Sequence, residues 1–137
     1  MFKLIKIVGA RTNVPEPAYV DIEEDKEYLA GCFYYFTEGK ITTYPVSQDD
    51  LKFIPLETLP ANSEKTKIFG YFVTENMVFE TDILGDYTAV KIGNTLLAHY
   101  DENDNICAVE AEVGYDIKLL SMDEADTRKK VFVALKW

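Results

Sequence analysis

Histidine is almost missing from this chain of 137 residues: His99 is the only one, beside two cysteines and one tryptophan. So few soft ligands, spread far apart, exclude the usual four-ligand structural zinc site. The seven glycines are scattered, and no phosphate-cradling loop or dinucleotide fingerprint occurs. No apolar run approaches the roughly 20 residues of a membrane-spanning helix. The opening MFKLIKIVG alternates Lys with apolar residues and has neither a long apolar core nor a small-residue cleavage site, so it is not expected to be a signal peptide. Basic residues are also scarce, 14 against 24 acidic, and a net charge of −10 repels a phosphate backbone. Neither nucleic acid nor a membrane is expected as a partner, no cofactor or metal is implied, and a soluble intracellular origin is expected.

Helical periodicity is lacking too, apart from one short turn at Asp123 to Lys129. What the chain has instead is Tyr, Phe, Val and Ile in short runs, with turn residues every eight to twelve positions. This predicts an all-β protein: one domain over residues 1–137, a small antiparallel barrel or sandwich. A chain of this length buries a sizeable core unaided. Cys32 in CFYYF and Cys107 in ICAVEA both sit in apolar runs, so each is expected to be a small buried hydrophobe in a reduced compartment. Nothing in the sequence supports a bridge between them.

The most strongly patterned stretch is Lys67 to Ile83, KIFGYFVTENMVFETDI. Two β-rich runs flank Glu75-Asn76, which predicts a hairpin at the centre of the core. Ahead of it, Phe2 to Val8 reads as a first strand that is apolar on both faces. GARTNVPEP then brings two prolines one residue apart and forces an extended path, so residues 1–17 combine a first strand with a Pro-bracketed arm. Ala18 to Ile22 is a short strand, and Glu23 to Glu27 a solvated turn. Phe33 to Phe36 and Ile41 to Tyr44 flank Thr37-Glu38-Gly39-Lys40, a second hairpin whose glycine supplies a positive φ. Residues 45–65 hold three prolines and read as a long irregular loop, with Leu51 to Leu56 as a brief edge strand or plug. Later strands are expected at Tyr87 to Ile92, Thr95 to Tyr100, Ile106 to Ala111, Tyr115 to Met122 and Val131 to Trp137.

Candidate chemistry is thin. His99 would be the base of any Ser-His or Cys-His pair, with Cys32, Ser47, Ser63 or Ser121 as nucleophile, yet no nucleophile elbow or oxyanion loop adjoins any serine. Asp101, Asn103, Asn105 and Glu112 match four positions of a calcium loop, but Ile106 stands where glycine is required. A hairpin turn held by its own Asp and Asn side chains explains DENDN better. No catalytic residue is assigned, and no enzyme activity is expected. The FYYF and IFGYF runs place aromatics on both strand faces; core and barrel packing accounts for most of them, and the alternative, where one face is core and the other open, puts Tyr34 or Tyr71 at an interface.

Several segments together carry a resemblance: IVGARTNVPEP at Ile7 to Pro17, TEGKIT at Thr37 to Thr42, ENMVFET at Glu75 to Thr81, VKIGN at Val90 to Asn94, and LLSMDEAD followed by KVFVALKW. In content and order they resemble small head-decoration, or capsid cement, proteins of tailed bacteriophages. The charged DEADTRKK loop and residues 45–65 depart from that pattern. The resemblance implies a structural virion protein, made in the bacterial host cytoplasm, that binds the outer surface of a phage head and stabilises it. Its partners would be the major capsid protein and copies of itself. The expected contacts are the arm, Arg11, Thr12, Asn13, Val14, Pro15, Glu16 and Pro17, together with Leu51, Phe53 and Tyr34. A small ligand- or carbohydrate-binding barrel is the alternative, and a hydrolase using His99 a third reading.

Overall fold

The structure is a computed structural model and describes residues 1–10, 12–47, 50–115, 117–122 and 130–135. The β-branched and aromatic runs form eleven strands: β1 (Lys3–Ile7), β2 (Ala18–Ile22), β3 (Tyr34–Thr37), β4 (Lys40–Thr42), β5 (Leu51–Pro55), β6 (Lys67–Phe72), β7 (Met77–Leu84), β8 (Thr95–Tyr100), β9 (Ile106–Val113), β10 (Ile117–Met122) and β11 (Lys130–Leu135). The all-β expectation holds, and the sheets close. Strands β2, β4, β3, β5 and β6 form one barrel. Strands β7, β11, β10, β8 and β9 follow one another in a second sheet, which a β7–β9 pairing closes, with β1 added outside β7.

The two barrels share one pairing diagram. In each, the first strand pairs in parallel with the third and antiparallel with the fifth, and the second pairs with the third and fourth. The correspondence extends to single residues. Ala18, Val20 and Asp21 face Gly70, Ile68 and Lys67; Phe79, Thr81 and Asp82 face Val133, Val131 and Lys130. Asp21–Lys67 and Asp82–Lys130 are both ion pairs, with N···O 2.6 and 2.5 Å. Burial acts to raise the Asp82 carboxyl, but the Lys130 hydrogen bond and charge outweigh it and hold the group below the usual range. Gly31 and Gly93, both at positive φ, lead into the second strand of each barrel three residues after buried Tyr28 and Val90. The chain is thus a register-level internal duplication.

Each barrel has its own interior. Val20, Tyr34, Ile41, Phe53 and Ile68 fill the first. The second is filled by Phe79, Leu96, Val109, Leu119, Val131 and Val133, and this cluster continues onto Phe33, Tyr35, Ile54 and Tyr71 from the outside of the first barrel. Strands β3, β5 and β6 are therefore covered on both faces, which accounts for their aromatics at consecutive positions. Between the barrels Lys52, fully buried, sets its ammonium 5.5 Å above the Tyr35 ring.

The tip of the β8–β9 hairpin locks the joint. Asp101 accepts from the N–H groups of Asn103 and Asn105, so the DENDN turn is held by its own side chains as expected. Buried Asn105 accepts from the Tyr34 hydroxyl (2.5 Å) and donates to Glu27 (3.1 Å). Tyr34 in turn accepts from Leu29 N–H, and Tyr28 donates to the Ile41 carbonyl. Burial pushes the Tyr28 phenol up to about 12 and Tyr34 higher still, so both remain neutral donors. Phe33 N–H donates to Ile106 O across the joint. Beside it Cys32 and Cys107 are joined in a disulfide with Cα atoms 4.3 Å apart. This overturns the expectation of two free thiols: residues 75 apart in sequence meet because each lies beside the same joint.

Four further expectations are corrected. Lys67 to Ile83 is not a hairpin: β6 and β7 belong to different barrels, and Glu75-Asn76 is the turn between them. Leu51 to Pro55 is no edge strand or plug but an interior barrel strand between β3 and β6, with Pro55 at its last position, where a missing N–H is tolerated. Tyr87 starts no strand; Tyr87–Ala89 is a 3₁₀ turn capped by the Asp86 side chain. Tyr34 and Tyr71 are both buried rather than exposed. The proposed turn at Asp123 to Lys129 lies outside the described residues.

Gly70 marks the tightest approach in the first barrel, where a Cβ would meet Ile54 O at 2.3 Å. Gly70→Ala should cost about 3 kcal/mol in urea unfolding through overpacking. The disulfide closes a long loop, so Cys107→Ser should lower stability by about 2–4 kcal/mol. Thiol titration of the unfolded wild-type chain should find no free sulfhydryl before reductant is added.

Candidate functional site

The arm and the first strand build a markedly apolar surface hollow. The chain leaves β1, turns at Val8 to Ala10 and doubles back. Val8 N–H donates to Asn76 O, Asn76 Nδ2 returns a bond to Val8 O, and Asn13 Oδ1 accepts from Ile7 N–H at 3.1 Å. Pro15 and Pro17 then hold the strand-like path into β2 without demanding ladder partners. Between the arm and the barrels runs a groove of about 450 Å³. Val14, Pro15 and Pro17 line it from the arm, Phe2 and Leu4 from the start of the chain and β1, and Ile54, Leu56, Phe69 and Tyr71 from the first barrel. Phe2 N–H donates to Gly31 O and Gly31 N–H to Pro55 O, which fixes β1 against the first barrel at the groove's end.

The expected contact residues divide sharply. Thr12, Asn13, Glu16 and Pro17 are exposed, Val14 is 77% exposed, and Leu51 lies open at the start of β5. Arg11 lies outside the described residues. Tyr34 and Phe53 are contradicted as contacts: Tyr34 is 1% exposed with its hydroxyl spent on Asn105, and Phe53 is fully buried inside the first barrel. They face each other across the β3–β5 ladder and pack with Val20 and Ile68 inside the barrel. Tyr19, Tyr44 and Tyr115 are the exposed aromatics among the described residues, and of these Tyr19, 69% exposed, lies next to the arm, with its ring 5.1 Å from that of Phe69 across the β2–β6 ladder. Its only sequence signal was its position one residue before buried Val20 in a period-2 strand.

Outside the groove the polar constellations have local explanations. His99 Nδ1 lies 3.0 Å from Glu110 Oε1, a cross-strand pair with both side chains about one-third exposed. Cys32, one of the four thiol and hydroxyl candidates for partnering it, is held in the disulfide. Among the described residues no group of three His, Cys, Asp or Glu side chains is placed to hold a metal. A second hollow, of about 520 Å³, is lined by Asp21, Glu23, Glu24, Asp25 and Glu64 with Lys40 and Lys65, so the charge around β2 is predominantly acidic. Over the described residues no helix is long and apolar enough to cross a membrane.

The chain matches no protein-family model, no curated protein and no solved structure. The arm and groove therefore stand on their geometry. Asn13→Ala removes the side-chain hydrogen bond from Ile7 N–H that ties the arm to β1, and should cost about 1 kcal/mol of local stability. Amide exchange at Ile7 should quicken while exchange in β8 and β9 stays unchanged.

Proposed function

We propose that the protein is a non-enzymatic structural module that decorates and stabilises the outer surface of a phage head. The observation that carries the reading is the apolar groove walled by an exposed, proline-stiffened arm. A surface of this kind binds a partner through shape and apolar cover and needs no catalytic group. Prolines limit the conformations the arm must give up on binding, which lowers the ordering cost. Acidity keeps a protein that is made in many copies soluble. The Cys32–Cys107 disulfide suits a protein used outside the cell, where such bonds persist.

On this reading the arm and the start of β5 meet the major capsid protein, and neighbouring copies meet one another on the shell. Of the segments that carry the likeness to cement proteins, Ile7 to Pro17 is the arm itself and supplies one side of the groove.

Co-sedimentation with heads that lack the protein tests it directly. Wild type should pellet with the heads and raise their resistance to heat, whereas Val14→Asp, which places a charge on the groove wall, should weaken attachment about tenfold or more. Wild-type protein that stays in the supernatant at every concentration, while folded, sinks the reading.

A further inference from the structure

The internal duplication exposes a strand position that is filled in one barrel and open in the other. On β7, the edge that carries β9 at Ile83 and Leu84 also carries β1, whose Lys3, Leu4, Lys6 and Ile7 lie against Glu80, Phe79, Val78 and Met77. Two strands therefore sit end to end along one edge. On β2, the matching edge carries β4 at Asp21 and Ile22. Among the described residues no strand continues it over Ala18 and Tyr19. By the shared register, Glu80, Phe79, Val78 and Met77 correspond to Tyr19, Ala18, Pro17 and Glu16.

The backbone of that stretch is turned the right way. Ile22 N–H donates to Thr66 O on the β6 side. Antiparallel ladders alternate, so Val20 and Ala18 also face β6, and the N–H and C=O of Tyr19 face the open edge with the carbonyl of Pro17. Such an edge is a template for another chain. The surroundings favour a cationic segment: Glu16 lies on this edge, Glu23 and Glu38 lie near its β4 end, where Lys40 faces an Asp21 already paired with Lys67, and the exposed Tyr19 ring offers a face to a cation. In the filled barrel the occupant is KLIKI, two lysines interspersed with apolar residues, with Lys3 opposite Glu80.

We infer that the outer edge of β2, from Glu16 to Tyr19, is a β-augmentation site for an extended segment of a partner protein in which Lys or Arg is interspersed with apolar residues, bound antiparallel as β1 is bound on β7. It adjoins the arm and shares Pro17 with the groove, but it binds through the backbone edge rather than the apolar hollow, and it stands whether or not the protein decorates heads.

The probe is a capped synthetic peptide spanning Phe2 to Val8, titrated into the intact, oxidised protein and followed by backbone amide shifts. Shifts should centre on Glu16 to Asp21. Tyr19→Pro deletes the outward N–H but no bond to β6, so it should stay folded and bind about tenfold more weakly. If that variant does not fold, Glu16→Lys with Glu38→Lys serves instead and should weaken binding by reversing the local charge. Three results overturn the inference: no shifts at millimolar peptide, shifts centred on Met77 to Glu80 through displacement of β1, or equal binding of a scrambled peptide of the same composition.

Discussion

Burial of the first barrel's wall on both of its faces is the constraint on which the molecule depends. Tyr34 and Phe53 point into one barrel, while Phe33, Tyr35, Ile54 and Tyr71 point out of it into the apolar mass of the other. Buried on both sides, β3, β5 and β6 allow almost no polar side chain. Lys52, the exception, is buried with its charge over an aromatic ring. The β8–β9 tip meets this wall through Asn105, whose amide answers Tyr34 on one side and Glu27 on the other. A buried amide satisfied at both ends specifies one docking, because sliding the barrels would leave donors and acceptors unpaired.

Duplication gives the architecture economy, and its departures from symmetry give it distinct surfaces. Equivalent positions hold the same ion pair, Asp21–Lys67 and Asp82–Lys130, and the same glycine-led approach to the second strand. They differ where the barrels meet their surroundings. Gly70 stands where the second barrel has Val133, drawing β6 close to Ile54. The arm lies before the first barrel's opening strand, whereas only the short segment Val73 to Asn76 lies before the second's, so the apolar groove has no counterpart.

Features written in local chemistry were legible in the sequence. Gly39 at φ +83 closes the β3–β4 hairpin, Asp101 caps its own turn, and the paired prolines do hold an exposed arm. Features that depend on which strand meets which were not. Alternation in Ile68 to Phe72 and Met77 to Ile83 identifies two strands and their faces, but carries nothing about their partners. Turn residues at Glu75-Asn76 look the same whether they join neighbours or cross between barrels. Tyr34 and Phe53 were misplaced for a related reason: where both faces of a strand are covered, residue type no longer distinguishes inside from outside. Half of the groove was hidden similarly, since Ile54, Leu56, Phe69 and Tyr71 reach it from a distance along the chain. The repeat is not legible in the sequence because its copies share burial and register far more than residue identity.

The cysteine bridge has a bearing on quality control during maturation. With two cysteines there is a single intramolecular pairing, so oxidation within one molecule cannot scramble. One sulfur precedes β3 of the first barrel and the other lies within β9 of the second, and they are neighbours only when the two barrels are docked. The covalent bond is thus a record of assembly: a molecule that carries it has, at the moment of oxidation, had both halves in place.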